Sequence, residues 1–280
     1  MIRLGRWAVL ALLGSTAALT APWSRRATLG STAALLPAAA FWRPQAGNAA
    51  EAKITDCVRL EFVQQISAED QKLLQVNIGL FGVDAPTAVG TFKELASSTL
   101  RVPCQDLPDD PEMIARQELS RRNAYKTCEG AVSEPVTYRY SQVWRVLDGR
   151  RVDGGAVQGK FALRKPPSTP TTEASSLSHD AAGLLSVRRG GGTFDFGLTA
   201  APTPEYDDEF AVIGRVLDED GLAAVRYLAS VPVVKAADAF GQGQGGSASR
   251  EKACAYGSPN SYCSQNKPLK KVTLVRTSLL

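Results

Sequence analysis

Between Ser141 and Lys160 the chain reads SQVWRVLDGRRVDGGAVQGK. Val143, Trp144, Val146 and Leu147 make a strand-like apolar run with one arginine, Arg145, in its middle. A guanidinium stays charged and rich in N–H donors, so it is costly in an apolar strand unless its charge or donors are used. A turn at Asp148-Gly149 follows, then Arg150, Arg151, Asp153 and a glycine pair, Gly154-Gly155. On residue type alone Arg145 is an ion-pair partner for Asp153 or Asp148. As chemistry, it is the chain's best candidate for a catalytic donor.

Little else in the chain could do chemistry. His179 is the single histidine, so Ser-His-Asp or Cys-His catalysis and His-rich metal sites have almost no material. Its place in HDAAG suits a structural hydrogen bond at a strand start. Gly190-Gly191-Gly192 lacks the following Lys-Ser/Thr of a phosphate loop, and Asp207-Asp208-Glu209 reads as a polar turn. The five cysteines are too widely spaced for a zinc site, and no metal or other cofactor is expected. In an oxidising compartment Cys104–Cys128 and Cys254–Cys263 are expected as disulfides, leaving Cys57 free.

The formal charge of +4 comes from the N-terminus. Residues 1–50 hold five arginines and no acid; taking these from 32 basic side chains leaves 27 against 28 acidic ones. A near-neutral body argues against a nucleic-acid groove or a polybasic membrane patch.

Arg3 and Arg6 precede an apolar run, Trp7 to Leu19, of signal-peptide length and too short to span a bilayer. A second unit opens on Arg25-Arg26, continues through Ala27 to Phe41, and ends in small residues at 47–50. A twin-arginine pair before a mild apolar stretch is the pattern of Tat export. Two signals in series resemble the address of a thylakoid-lumen protein in an alga whose plastid is reached through the secretory pathway. A bacterial periplasmic or secreted protein is the alternative. Residues 1–50 are thus expected to be a bipartite targeting region and 51–280 the domain, not membrane-spanning once mature.

The remaining elements must position Arg145. Val58 to Ile66 and Leu73 to Phe81 alternate as half-buried strands and read as an antiparallel pair. Ala88 to Ser98 places Val89, Phe92, Leu95 and Ala96 on one helical face. Residues 101–137, bracketed by prolines, hold a charged helical stretch with a weak apolar face and read as an insertion. Pro166 to Ser178 is a Pro/Ser/Thr loop. Strands follow at Gly183–Val187, at Phe194–Thr199 with Phe194, Phe196 and Leu198 on one face, and at Phe210–Leu217. A helix is expected over Glu219–Val231 and a final strand over Lys271–Thr277. Strand-heavy order with two separated helices points to a barrel or sandwich with helical caps.

This ordered set, GLFGVDAPTAVGTFKELASS, WRVLDGRRVDGG, HDAAGLLSV, FDFGLT and YDDEFAVIGRVLDEDGLAAV, resembles a cyclophilin-type peptidyl-prolyl isomerase from about residue 58 to 277. The match is weakest over 101–137 and 241–270. The family's segment F-H-R-V-I-x-G-F-x-x-Q-G-G-D stands here as VWRVLDGRRVDGGA, keeping the arginine, the first glycine and the glycine pair. The resemblance implies a mainly β fold: a closed eight-stranded antiparallel barrel capped by two helices, here with a helical insertion.

It also implies a reaction without cofactor. Amide resonance gives an X–Pro bond a rotation barrier of roughly 18–20 kcal/mol. A donor aimed at the prolyl nitrogen withdraws its lone pair from that resonance, a role the resemblance gives to Arg145. The pocket for the proline ring carries over with changes: Arg150 stands for the aromatic after the glycine, Arg151 for its neighbour and Asp153 for a glutamine. Phe196, or else Phe194, would supply the phenyl floor. Glu205 stands for a tryptophan, Tyr206 for a leucine and Phe210 for a histidine. Arg150-Arg151 reads plainly as a solvated turn, or more sharply as selectivity for acidic residues beside proline. Arg145 and Phe196 on different sides of the barrel would count against catalysis. The expected partners are proline-containing polypeptide segments. The competing expectation is a catalytically lapsed binding or assembly module for photosynthetic complexes.

Overall fold

A computed structural model of the protein describes residues 49, 51–106, 114–157, 161, 163–168, 176–233 and 266–280. Of residues 1–50, expected to be a targeting region, Ala49 alone is described, and the Cys254–Cys263 pair lies outside the described residues.

Period-two alternation builds the first hairpin. β1 (Asp56–Gln65) and β2 (Gln71–Leu80) pair antiparallel with Val58 opposite Ile78, Leu60 opposite Val76 and Phe62 opposite Leu74. All six side chains are buried in the main core, each contributing about 1.5–3 kcal/mol when fully buried. The remaining strands are β3 (Ser141–Gln142), β4 (Arg145–Leu147), β5 (Arg151–Gly154), β6 (Leu184–Arg188), β7 (Phe196–Thr199), β8 (Phe210–Val216) and β9 (Val272–Leu279). They form one antiparallel sheet in the order β3-β9-β1-β2-β8-β6-β7-β5-β4.

The segment carrying Arg145 closes that sheet on itself. Its first part, β3, bridges β9, and its second part, β4, pairs with β5. Between them Val143 N–H donates to Val272 O at 3.0 Å and Trp144 N–H to Asp153 O at 3.0 Å, while Gln142 bridges Ala156. The barrel therefore has nine strand segments among the described residues, two of which, β3 and β4, are pieces of one interrupted strand.

Two amphipathic helices cap the barrel. α1 (Pro86–Ala96) starts on a proline, whose missing N–H costs nothing at a helix start, and buries Ala88, Val89, Phe92, Leu95 and Ala96. α3 (Glu219–Ala229) is capped by Asp218, whose carboxylate accepts from Gly221 N–H at 2.6 Å, and buries Ala224, Val225, Leu228 and Ala229. A smaller apolar cluster of Phe81, Leu177, Leu184 and Val212 covers the outside of the sheet.

The third helix, α2 (Ala115–Gly130), buries only Cys128 and leaves Ile114 and Leu119 exposed, so packing of an apolar face does not hold it. Two other ties do. Cys104 and Cys128 form a disulfide with Cα atoms 6.1 Å apart. Arg164, fully buried, donates to the carbonyls of Val102 at 2.7 Å, Val132 at 3.2 Å and Ala131, the last two just beyond the helix end. Among the described residues Cys57 is the free cysteine, and no helix is long and apolar enough to cross a membrane.

Candidate functional site

Arg145 is placed by a tight hairpin. β4 turns into β5 through Asp148-Gly149-Arg150, with Gly149 at φ +64°, a left-handed value that glycine adopts without steric cost. The hairpin sets Arg145 opposite Asp153, and the next strand sets Asp153 opposite Gly197. Directly opposed residues share a face of the sheet, so Arg145, Asp153, Gly197 and, two residues from Asp153, Arg151 share the outer one. Val146, Val152, Phe196 and Leu198 point the other way, into the core.

One carboxylate joins two arginines. Arg145 Nε donates to Asp153 Oδ2 at 2.5 Å, and Arg151 Nε donates to Asp153 Oδ1 at 2.7 Å. Asp153 and Arg151 are almost wholly covered, with side-chain exposures of 3% and 0%, whereas Arg145 keeps 26%. With its Nε committed, Arg145 has the donors of its two terminal amino groups left for a ligand. Its guanidinium also lies 5.0 Å from the ring centre of Trp144.

The covering layer is the loop between β7 and β8. Tyr206, in a short 3-10 turn (Pro204–Tyr206), packs edge-on against Phe210 with ring centres 5.8 Å apart. The Arg151 guanidinium carbon sits 3.9 Å from the Phe210 ring centre and 4.9 Å from that of Tyr206. At the rim, half-exposed Arg150 pairs with Glu205 and Arg188 with Glu209, the latter at 2.6 Å. The loop is latched from beneath: Asp207 accepts from Ser178 Oγ, from His179 N–H at 2.7 Å, and meets His179 Nδ1 at 2.6 Å. Burial of the ring lowers the His179 pKa below the ordinary histidine value, against the opposing hydrogen bond to Asp207. His179 is therefore a neutral structural group.

Asp195 completes the charge cluster. Burial pushes its carboxyl up to about 7; the neighbouring charge of Asp153 adds to the rise, and Arg188 and Arg145 oppose it. The site thus gathers two arginines around the Asp153 carboxylate they share, beside a second carboxyl, Asp195, that burial keeps protonated to higher pH.

The phenylalanines do not supply the expected floor. Phe196 lies on the core side of β7, 2% exposed, against Phe92 and Tyr138 with ring centres 5.7 and 5.1 Å away. Phe194 is buried on the same side and lines a narrow cleft with Thr91, Phe92 and Asp195. Arg145 and Phe196 therefore occupy opposite faces of the sheet, because the strand register turns Gly197 toward Arg151 and Asp153. Arg150 stands at the rim, while Arg151, Asp153, Tyr206 and Phe210 come together behind Arg145. Arg151 is no part of a solvated turn: it has no exposed surface. Phe196 instead explains the second glycine of the pair. Gly155 has φ +86°, and a Cβ there would lie 2.7 Å from the Phe196 ring and 2.9 Å from that of Tyr138.

Gly197 and Asp195 are the residues that sequence reasoning missed. The signal for them was present: Phe194, Phe196 and Leu198 on one face of a strand leave 195 and 197 on the other.

A comparison with curated proteins gives no match. The family model of the cyclophilin type peptidyl-prolyl cis-trans isomerase matches residues 65–242, a span from the end of β1 past α3 that contains every residue of the Arg145 cluster. The closed, helix-capped barrel and this match lead to one conclusion: the chain belongs to the cyclophilin-type peptidyl-prolyl cis-trans isomerase family.

Proposed function

We propose that the chain is a peptidyl-prolyl isomerase of strongly attenuated turnover, in which Arg145 meets the prolyl amide of a bound polypeptide segment. The observation that carries this reading is the state of Arg145. A single Nε bond to buried Asp153 orients it, and its terminal donors stay at the surface. A guanidinium held this way loses little freedom when it donates to a prolyl nitrogen. Attenuation follows from the rest of the face. Gly197 occupies the position of β7 that faces Arg145's partner, so no phenyl ring lies under the substrate, and Phe196 on the core side counts against ordinary catalysis.

A second reading is a binding or assembly module without turnover, in a thylakoid lumen with a photosynthetic complex as partner. It is favoured by the charged filling of the space behind Arg145. The Cys104–Cys128 disulfide supports an oxidising compartment for either.

An isomerisation assay on peptides with varied residues before proline separates the two. The first reading expects slow turnover that Arg145→Ala reduces at least tenfold. No rate above background on any peptide leaves the binding module, and turnover unaffected by Arg145→Ala removes Arg145 from the chemistry.

A further inference from the structure

Arg151 has no exposed surface, and its Nη1 and Nη2 have no hydrogen-bond partner. Only Nε is used, on Asp153. A buried charge of this kind persists when a carboxylate and aromatic faces replace the water it loses. Both are present: Asp153 at one end, and the rings of Phe210 and Tyr206 over the guanidinium plane. The remaining wall is the backbone of Gly197. A Cβ built there would collide with Nη2, Cζ and Nε of Arg151. Glycine at 197 and arginine at 151 are one arrangement, in which the guanidinium takes the volume that a side chain from β7 would fill.

The result is a slot with two aromatic walls and a backbone floor, beside an arginine able to donate to an amide. Such a slot suits a compact apolar ring. It is filled from within. We propose that Arg151 is a specificity-determining plug: its guanidinium occupies the slot beside Arg145, and a proline ring enters only when that guanidinium leaves. The plug rests on the reading that Arg145 meets the prolyl amide, but binding tests it independently of turnover.

The full chain and its Arg151→Ala variant are titrated with a short peptide holding one central Ala-Pro bond, and with the same peptide carrying alanine for proline. The variant is expected to bind the prolyl peptide at least tenfold more tightly than the parent, with no such gain for the alanine peptide. Equal or weaker binding of the prolyl peptide by the folded variant overturns the plug, as does an equal gain for both peptides. Should Arg151→Ala not fold, Arg151→Thr also vacates the slot, with a β-branched residue suited to a strand; a fivefold gain is expected, and none overturns the proposal. Turnover is read alongside. Tighter prolyl binding without turnover in any form upholds the plug and counts against the isomerase reading. Arg145-dependent turnover with an unchanged affinity on Arg151→Ala does the reverse.

Discussion

The guanidinium of Arg151 lies 3.9 Å from the ring centre of Phe210, wholly removed from solvent. The contact joins β5 to the start of β8 over the backbone of Gly197 and fixes what the face behind Arg145 presents. Its second support is Asp153, which also holds Arg145. Removing any one of the three charges therefore leaves the others in a changed field.

Asp153 is the member whose loss is felt most. Asp153→Ala leaves a fully buried guanidinium without a counter-charge, which costs about 3–5 kcal/mol. Arg145→Ala removes a partly exposed partner and is expected to cost about 1 kcal/mol or less. Denaturant unfolding of the two variants checks the order; equal losses would show that Arg151 does not depend on the carboxylate.

Asp195 gives the site a pH dependence of definite sign. Its folded pKa, about 7, lies above the unfolded value of 3.8, so the folded chain binds the extra proton between these values. Its effect is to lower stability as pH rises through that window. Asp195→Asn is expected to raise the melting temperature at pH 8 and to change it much less at pH 4. A gain of the same size at both values would assign the effect to packing instead.

The latch under Tyr206 titrates with the opposite sign. Burial holds the His179 pKa below its unfolded value of 6.5, so the unfolded chain takes up the proton first and stability falls as pH drops below that value. Partial burial pulls the Asp207 pKa up, but its hydrogen bonds with Ser178 and His179 prevail and lower it below 3.8. The stability Asp207 contributes is present above its unfolded value and is lost as pH falls through the folded one. His179→Gln is expected to flatten the fall in melting temperature between pH 7 and 5. An unchanged slope would place the acid sensitivity elsewhere.

The disulfide gives the fourth prediction. Cys104 and Cys128 are separated by 24 positions, and opening a loop of that length costs about 3 kcal/mol in the chain-entropy account. Cys128→Ser is expected to lose that much and to speed amide exchange across α2 more than across β1 and β2. Uniform acceleration would mean that α2 and the barrel open together.

What could be read from the sequence follows where one physical pattern dominates. Val58, Leu60 and Phe62 against Leu74, Val76 and Ile78 announce a hairpin, because one face of each strand is buried and the period is two. α1 and α3 show equally well through Val89, Phe92 and Leu95, and Val225 and Leu228. The β7 strand shows the limit. Its alternation places Phe194, Phe196 and Leu198 together, but both faces of β7 are covered, so periodicity cannot say which faces the core. Arg151 is harder still. It reads as a solvated turn because what buries it, Tyr206 and Phe210, lies more than 50 residues further along the chain. Arg164, buried against three carbonyls, leaves no mark in the pattern at all. Asp195 acquires its high pKa from burial, and to a smaller degree from Asp153 on β5, neither of which its own neighbours in sequence announce.

The closure of the barrel bears on how such a face can change. The segment Ser141–Leu147 fastens the sheet through main-chain groups: Val143 N–H to Val272 O, Trp144 N–H to Asp153 O and Val146 N–H to Asn266 O. These bonds do not depend on which side chains the segment or its neighbours display outward. The scaffold and the chemistry are thus written in different atoms. An outer face can exchange an apolar floor for glycine and a guanidinium while the fastening beneath it keeps the same geometry, so this strand keeps the barrel whatever its outer face presents.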